Sequence, residues 1–244
     1  SINVKGDTYV SDNVQLFTES YSNSLDNPDH DKYISKDNFK SIATSTYEGN
    51  VNVSRNCKFG SFNAGDTVVK GNVTAVSGGD IDVWDSDSTM DIAGNVKVSD
   101  KGSKISVGRT GKINIAGNLN VSGGASSLIG KDSVLTVGKT FSVKDATLNI
   151  ENGKLLLSGE NAVLDLTSNG VLKTNTAGSV KIEKGAQVKS KTATLVSEDK
   201  TTTAEGVAEK TFDADALSKV SLVDFGETTL DEAKKLHSIL FTSD

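Results

Sequence analysis

GNVKVSDKGSKISVGRTGKINIA (94–116), GNLNVSGGASSLIGKDSVLTV (117–137) and GKTFSVKDATLNIENGKLLL (138–157) are three versions of one pattern. Each holds three short runs of alternating apolar and polar residues, separated by Gly, Asn, Asp, Ser and Lys. The groups open at Gly94, Gly117 and Gly138, so the steps are 23 and 21 residues. A trio of strands repeating about every 22 residues marks a solenoid, whose units bury their apolar faces only by stacking on one another.

Moving upstream, GNVNV (49–53) and GNVTAV (71–76) align with GNVKV (94–98) and GNLNV (117–121), at steps of 22, 23 and 23. The glycine is expected to supply the positive φ of a tight corner. Asn50, Asn72, Asn95 and Asn118 are expected to stack as a ladder of side-chain hydrogen bonds between coils. The next run of each coil is Ile81-Asp82-Val83, Ile105-Ser106-Val107, Ser127-Leu128-Ile129 or Leu148-Asn149-Ile150. The third is Met90-Asp91-Ile92, Ile113-Asn114-Ile115, Leu135-Thr136-Val137 or Leu155-Leu156-Leu157. Alternation turns the outer two residues of each trio one way and the middle one the other. Val98, Val107, Ile115, Val121, Ile129 and Val137 should therefore point inward. Beyond Gly159 the order loosens but continues to Leu195-Val196. Residues 49–197 thus read as a parallel β-helix of three strands per coil and about seven coils. At about 4.8 Å per coil the prism is roughly 35 Å long.

Residues 1–48 read as an N-terminal coil or cap with a polar insertion. TESYSNSLDNPDHDKYISKDNFKSIATSTYE (18–48) is acidic and rich in Ser, Asn and Asp, with Ser35 as N-cap of a short helix carrying Phe39 and Ile42. Tyr21, Tyr33, Phe39 and Tyr47 suit packing over an open core end. Residues 198–244 read as a polar loop and a helical C-terminal cap. There Thr229 and Glu232 form a capping box, and Leu230, Ala233, Leu236 and Leu240 form one apolar stripe.

The whole chain of 244 residues agrees with this. Hydrophobic residues are 35% and aromatics 5%, with 23 glycines and one proline. Short strands and tight turns fit that composition; a helical bundle does not. The net charge is −6. Residues 1–48 contribute −4 and 201–244 −5, whereas 49–200 carry +3. Nothing resembles the basic, aromatic-bearing surface of a nucleic-acid binder. Cys57 stands alone, so no internal disulfide framework exists. No apolar run approaches the roughly 18–20 residues that span a bilayer, so no membrane insertion by this segment is expected. Ser1, with no initiator Met and no leader, reads as the start of a mature chain or of a shortened one.

The G-N-[VL]-x-V and G-K-[LI]-x-[IL] runs resemble the passenger domains of bacterial autotransporter adhesins and related secreted β-helical haemagglutinins, over residues 49–197. The resemblance implies a right-handed parallel β-helix at the cell surface of a Gram-negative bacterium. It implies adhesion, aggregation or biofilm formation, with a host cell surface, a glycan or another copy of the chain as partner. The family's membrane β-barrel pattern is not found within these residues.

Three surfaces could carry chemistry. Asp80, Asp82, Asp85, Asp87 and Asp91 lie within twelve residues, and an oxygen-rich cluster suits calcium; a solvated acidic face is the plainer reading. Lys112, Lys131, Lys154 and Lys173, at steps of 19, 23 and 19, could form a lysine ladder attracting anionic glycans. Lysines at turns also discourage edge pairing. A polysaccharide-cleaving β-helix enzyme, the rival class, would need paired carboxylates, and Asp82 with Asp91 is the nearest approach. The two histidines, His30 and His237, share no context. The expectation is therefore a non-enzymatic surface binding module without catalytic residues, and the alternatives are a carbohydrate-active β-helix enzyme or a structural stalk.

Overall fold

A computed structural model describes residues 1–20, 36–39, 41–174, 180–182, 186–189, 194–196 and 211–213. Among them the chain winds as a parallel β-helix of three sheets, with eight, ten and seven strands. The first sheet stacks Ile2–Val4, Thr44–Tyr47, Asp66–Val69, Thr89–Ile92, Lys112–Ile115, Val134–Val137, Lys154–Leu157 and Val180–Ile182. The second begins with Thr8–Val10, Val51–Val53, Val73–Ala75 and Val96–Ser99. The third stacks Gln15–Glu19, Lys58–Phe62, Asp80–Trp84, Lys104–Gly108, Ser126–Ile129, Thr147–Ile150 and Val171–Thr174. Each strand pairs with its equivalent one coil away, as in Lys112↔Val134 and Ile105↔Ser127. Seven complete coils follow from the seven strands of the third sheet.

The alternation works as the sequence implies. Val98, Val107, Ile115, Val121, Ile129 and Val137 are all buried, within one core that runs from Val10 to Ala186. Beta-branched residues dominate because they suit a pleated surface closed on both sides by neighbouring coils. At the N-terminal end three hydroxyls share this core. Thr18, Ser45 and Thr67 hydrogen-bond to one another, so buried polar groups there satisfy each other.

The asparagine ladder is present. Backbone N–H groups of Asn72, Asn95 and Asn118 donate to the Oδ1 of the asparagine one coil before, at 2.9, 2.8 and 2.8 Å. Asp7 starts the column by accepting from Asn50 N at 2.7 Å, and Thr140 N ends it on Asn118 Oδ1 at 3.1 Å. The reason for the glycines differs from the expectation. Gly49, Gly71, Gly94 and Gly117 do not have positive φ. They are needed because coils touch there: a Cβ on Gly71 would lie 2.5 Å from Gly49 O, and one on Gly117 2.5 Å from Gly94 O. The left-handed residues sit mostly at the other two corners, in Arg55-Asn56, Asn63-Ala64, Asp85-Ser86-Asp87 and Arg109-Thr110.

The regular winding begins earlier than GNVNV. Ile2–Glu19 forms a full coil, in register with Thr44–Phe62. The insertion leaves after Glu19, and the chain rejoins the first sheet at Thr44. Its one described helical element is a 3-10 turn, Lys36–Asn38, shorter than the expected helix and without Ile42. Lys36 Nζ reaches Asp66 Oδ1 at 2.5 Å, on the third coil, so this turn lies along the side of the prism. Tyr47 is a core residue packed edge-on against Phe59 at 5.1 Å, not a lid. At the other end, Thr194–Val196 turns back antiparallel on Gln187–Lys189 and then pairs in parallel with Thr211–Asp213, so the coil-on-coil repeat in the second sheet stops at Lys189. A reversed strand of this kind covers the edge that the last regular coil would leave open. Ser35, Tyr21, Tyr33, the 229–240 helix, His30 and His237 lie outside the described residues.

Candidate functional site

The outward-facing positions of the third sheet form rows across coils. One row is Gln15, Lys58, Asp80, Lys104 and Ser126; the next is Phe17, Gly60, Asp82, Ser106 and Leu128; the last is Glu19, Phe62, Trp84 and Gly108. On the first four coils these rows enclose a groove of about 390 Å³, lined by Gln15, Phe17, Lys58, Phe62, Asp82, Trp84, Asp85 and Lys104.

Two glycines let the aromatic rings lie down. The Trp84 indole spans Gly108, where a Cβ would meet its ring atoms at 2.5–2.8 Å. Phe62 leans over Gly60 in the same way, its Cε2 2.8 Å from where a Cβ would stand. Phe17 then packs on Phe62 at 4.5 Å between centroids, tilted by 55°. The rings form a shelf on either side of Asp82.

Asp82 is the floor of the groove and only 4% exposed. Ser106 Oγ donates to its Oδ1, and the indole Nε1 of Trp84 donates to Ser106 Oγ at 3.2 Å. Lys58 Nζ stands 3.8 Å from Asp82 Oδ2, and Lys104 Nζ 3.8 Å from Oδ1 and 4.0 Å from Asp80 Oδ2. These are ion pairs beyond hydrogen-bond length, so neither ammonium spends a donor on a carboxylate. Burial pushes the Asp80 carboxyl above its ordinary value; the Lys104 charge opposes that, and the Asp82 carboxylate reinforces it.

The five aspartates picked out together do not converge. Asp80 and Asp82 lie on the third sheet, Asp85 and Asp87 in the left-handed corner, and Asp91 on the outer face of the first sheet. Asp85 pairs with Arg109 at 3.4 Å, and Asp91 accepts from Asn114 Nδ2 at 2.7 Å. Among the described residues, no group of three or more His, Cys, Asp or Glu side chains gathers as a metal site would need. The Asp82–Asp91 pair is split across a corner, and Asp82 is a covered residue rather than part of a solvated face.

No protein-family model, curated protein or solved structure matches this chain.

The four lysines also separate. Lys112 and Lys154 share a row of the first sheet, with Val134 between them. Lys131 sits in the turn before that sheet, beside Asp132 at 3.9 Å. Lys173 lies on the third sheet, in the row of Asp82 and Asn149. All four are exposed, but they do not stack. Steps of 19 residues fall short of the coil, which measures 22 and then 20 residues along the Lys112, Val134, Lys154 row. No helix among the described residues is long and apolar enough to cross a membrane.

The groove itself escaped the reading of repeats because its members do not repeat. A signal was available: Phe62 and Trp84 lie 22 residues apart, one coil step, at outward positions of a chain with 5% aromatics.

Proposed function

We propose that this chain is the contact module of a bacterial cell-surface attachment protein, acting in adhesion, aggregation or biofilm formation through the side of its β-helix. It acts by binding rather than by turnover. The observation that supports this reading is the groove on the third sheet. Phe17, Phe62 and Trp84 stand outward there beside Lys58, Lys104 and Asp82. The outer rows of the other two sheets carry mostly Thr, Asn, Lys and Ser, with Tyr9 the one large exposed ring among the described residues. Aromatic side chains with a few convergent polar groups are what binding sites use, and a solenoid keeps such residues outward only at a cost in solubility.

The cleaving alternative draws on one observation, the raised carboxyl of Asp80 next to the buried carboxylate of Asp82. Acid–base work on a glycosidic bond needs two such groups with differing protonation. A settling and surface-attachment assay on cells displaying the chain separates the readings. Attachment should fall when Trp84 and Phe62 are both changed to Ser. It should survive Asp80→Asn. Release of reducing ends from a polysaccharide, abolished by Asp80→Asn, would instead support the enzyme.

A further inference from the structure

The groove differs from the rest of the surface in chemistry as well as in shape. Its charges cancel: Lys58 and Lys104 face Asp80 and Asp82, and Asp85 is paired with Arg109. A cationic or anionic ligand would gain little net attraction from a balanced set of this kind. The lysine ammoniums keep hydrogen-bond donors unspent, as their 3.8–4.0 Å separations from the carboxylates require. Acceptors are present too, in the free lone pairs of Asp82 and Asp80 and the amide oxygen of Gln15. Donors and acceptors therefore line a floor bounded by flat apolar rings.

Size and spacing agree. The cavity of about 390 Å³ falls in the range of small-molecule sites, about 300–1,000 Å³. Lys58 and Lys104 are two coils apart, on the order of 10 Å, with Asp80 between them. The groove is open across four coils, so a chain-like ligand can pass through with one unit seated.

From this juxtaposition we infer that the groove binds an uncharged pyranose unit of a polysaccharide. The apolar face of the sugar ring lies on Trp84 and Phe62. Its hydroxyls accept from Lys58 and Lys104 and donate to Asp82. This rests on the attachment reading above and names the ligand class of that site. A flat ring with apolar C–H groups on its faces and hydroxyls around its edge fits aromatic walls with mixed donors and acceptors. A sulfated or uronic chain would need an excess of cations that the groove lacks.

Trp84 is the single tryptophan of the chain, so its fluorescence reports the groove without a label. The probes are soluble neutral polysaccharides (dextran, mannan, galactan and β-1,3-glucan) against the anionic alginate, polygalacturonate and heparin. The expected result is a saturable change in Trp84 emission with at least one neutral polysaccharide, nearly unchanged between low and high salt. Phe62→Ser should weaken that binding at least about tenfold, by analogy with an aromatic stacking contact. Lys104→Met should weaken it less. Circular dichroism and melting of each variant report folding separately. A Lys112→Ala, Lys154→Ala double variant serves as an outward control and should bind as the parent does.

No response to any neutral polysaccharide overturns the inference. So does a response only to anionic polysaccharides that collapses at high salt. If cells displaying the chain still attach, and lose attachment on Phe62→Ser, the attachment reading stands while the sugar assignment falls. If attachment is unaffected by folded groove variants, the groove is not the contact surface and both readings fail.

Discussion

The glycine–asparagine corner and the groove on the third sheet are built on the same coils and obey opposite rules. At the corner four successive coils repeat the same two residues, and each touches its equivalent: Gly117 on Gly94, Asn118 on Asn95. In the groove no row repeats. Lys58, Asp80 and Lys104 follow one another, as do Gly60, Asp82 and Ser106, and Phe62, Trp84 and Gly108. Repetition serves stacking, because identical neighbours give each coil the same partners. The groove is made of unlike rows, and only unlike rows can set aromatic rings, ammonium groups and carboxylates side by side around one seated unit. In a solenoid the departures from the repeat therefore point to function more sharply than the repeat does.

Changes beneath and at the corner should cost stability, and changes in the groove should cost binding. The upper bound comes from the core shared by both. Ile115→Asp places a charge at a site 1% exposed and without partners, so it should cost upward of about 4 kcal/mol or abolish folding. Chemical denaturation reads this, and a variant as stable as the parent would refute the inward register. Gly94→Ala comes next. Its new Cβ would stand 2.7 Å from Asn72 Oδ1 and against the carbonyl of Gly71, so coils must part, at about 2–3 kcal/mol. Because φ at Gly94 is not positive, backbone conformation adds no penalty, so a mild Gly94→Ala would mean that the close approach of the coils does not govern this position.

Asn95→Ala should cost about 1 kcal/mol, because Asn118 loses its acceptor at both N and Nδ2. In contrast, Trp84→Ala removes a partly exposed ring and opens it to water, so about 1 kcal/mol or less is expected, together with loss of binding. A Trp84→Ala loss larger than that of Gly94→Ala would make the groove a structural element and blur the contrast.

The smallest effect is a pH dependence. The folded chain holds the Asp80 proton more tightly than the unfolded chain, whose aspartate titrates near 4. That contribution is present at acid pH and is lost as pH rises through the raised value. Asp80→Asn should therefore gain stability relative to the parent as pH is brought from acid to neutral. Melting temperatures followed across that span would show it, and a constant difference would mean that burial does not govern this carboxyl.

How much could be read from residues alone follows the same division. The corner asparagines were legible because position, type and spacing all recur, and stacking follows from recurrence. The role of the glycines was not, since a sequence gives residue type but not which atoms of the next coil lie against it. The lysines at 112, 131, 154 and 173 looked periodic, yet a register is kept only if each step matches the local coil, and their steps of 19, 23 and 19 meet coils of 22, 20 and 24 residues. The groove draws on Gln15, Phe17, Lys58, Phe62, Asp82, Trp84 and Lys104, brought together by a winding that sequence spacing alone only outlines. Asp82 shows the loss most clearly: in the chain it is one of five nearby aspartates, in the fold the one under two lysines and a serine.

The direction of the coil-to-coil hydrogen bonds has a mechanical side. Strand pairs such as Ile113↔Leu135 join successive coils, so their bonds run along the prism. Tension applied along that axis loads them in line, one coil at a time, rather than across a whole sheet in shear. A tether anchored at one end and pulled at the other should lengthen in steps of one coil, about 22 residues, or roughly 75 Å of extended chain. The coil that carries the insertion between Glu19 and Thr44 should give one longer step. Such a prism yields by increments and absorbs work at each. In the attachment role proposed above, yielding in steps would keep the contact when a brittle rod would let go.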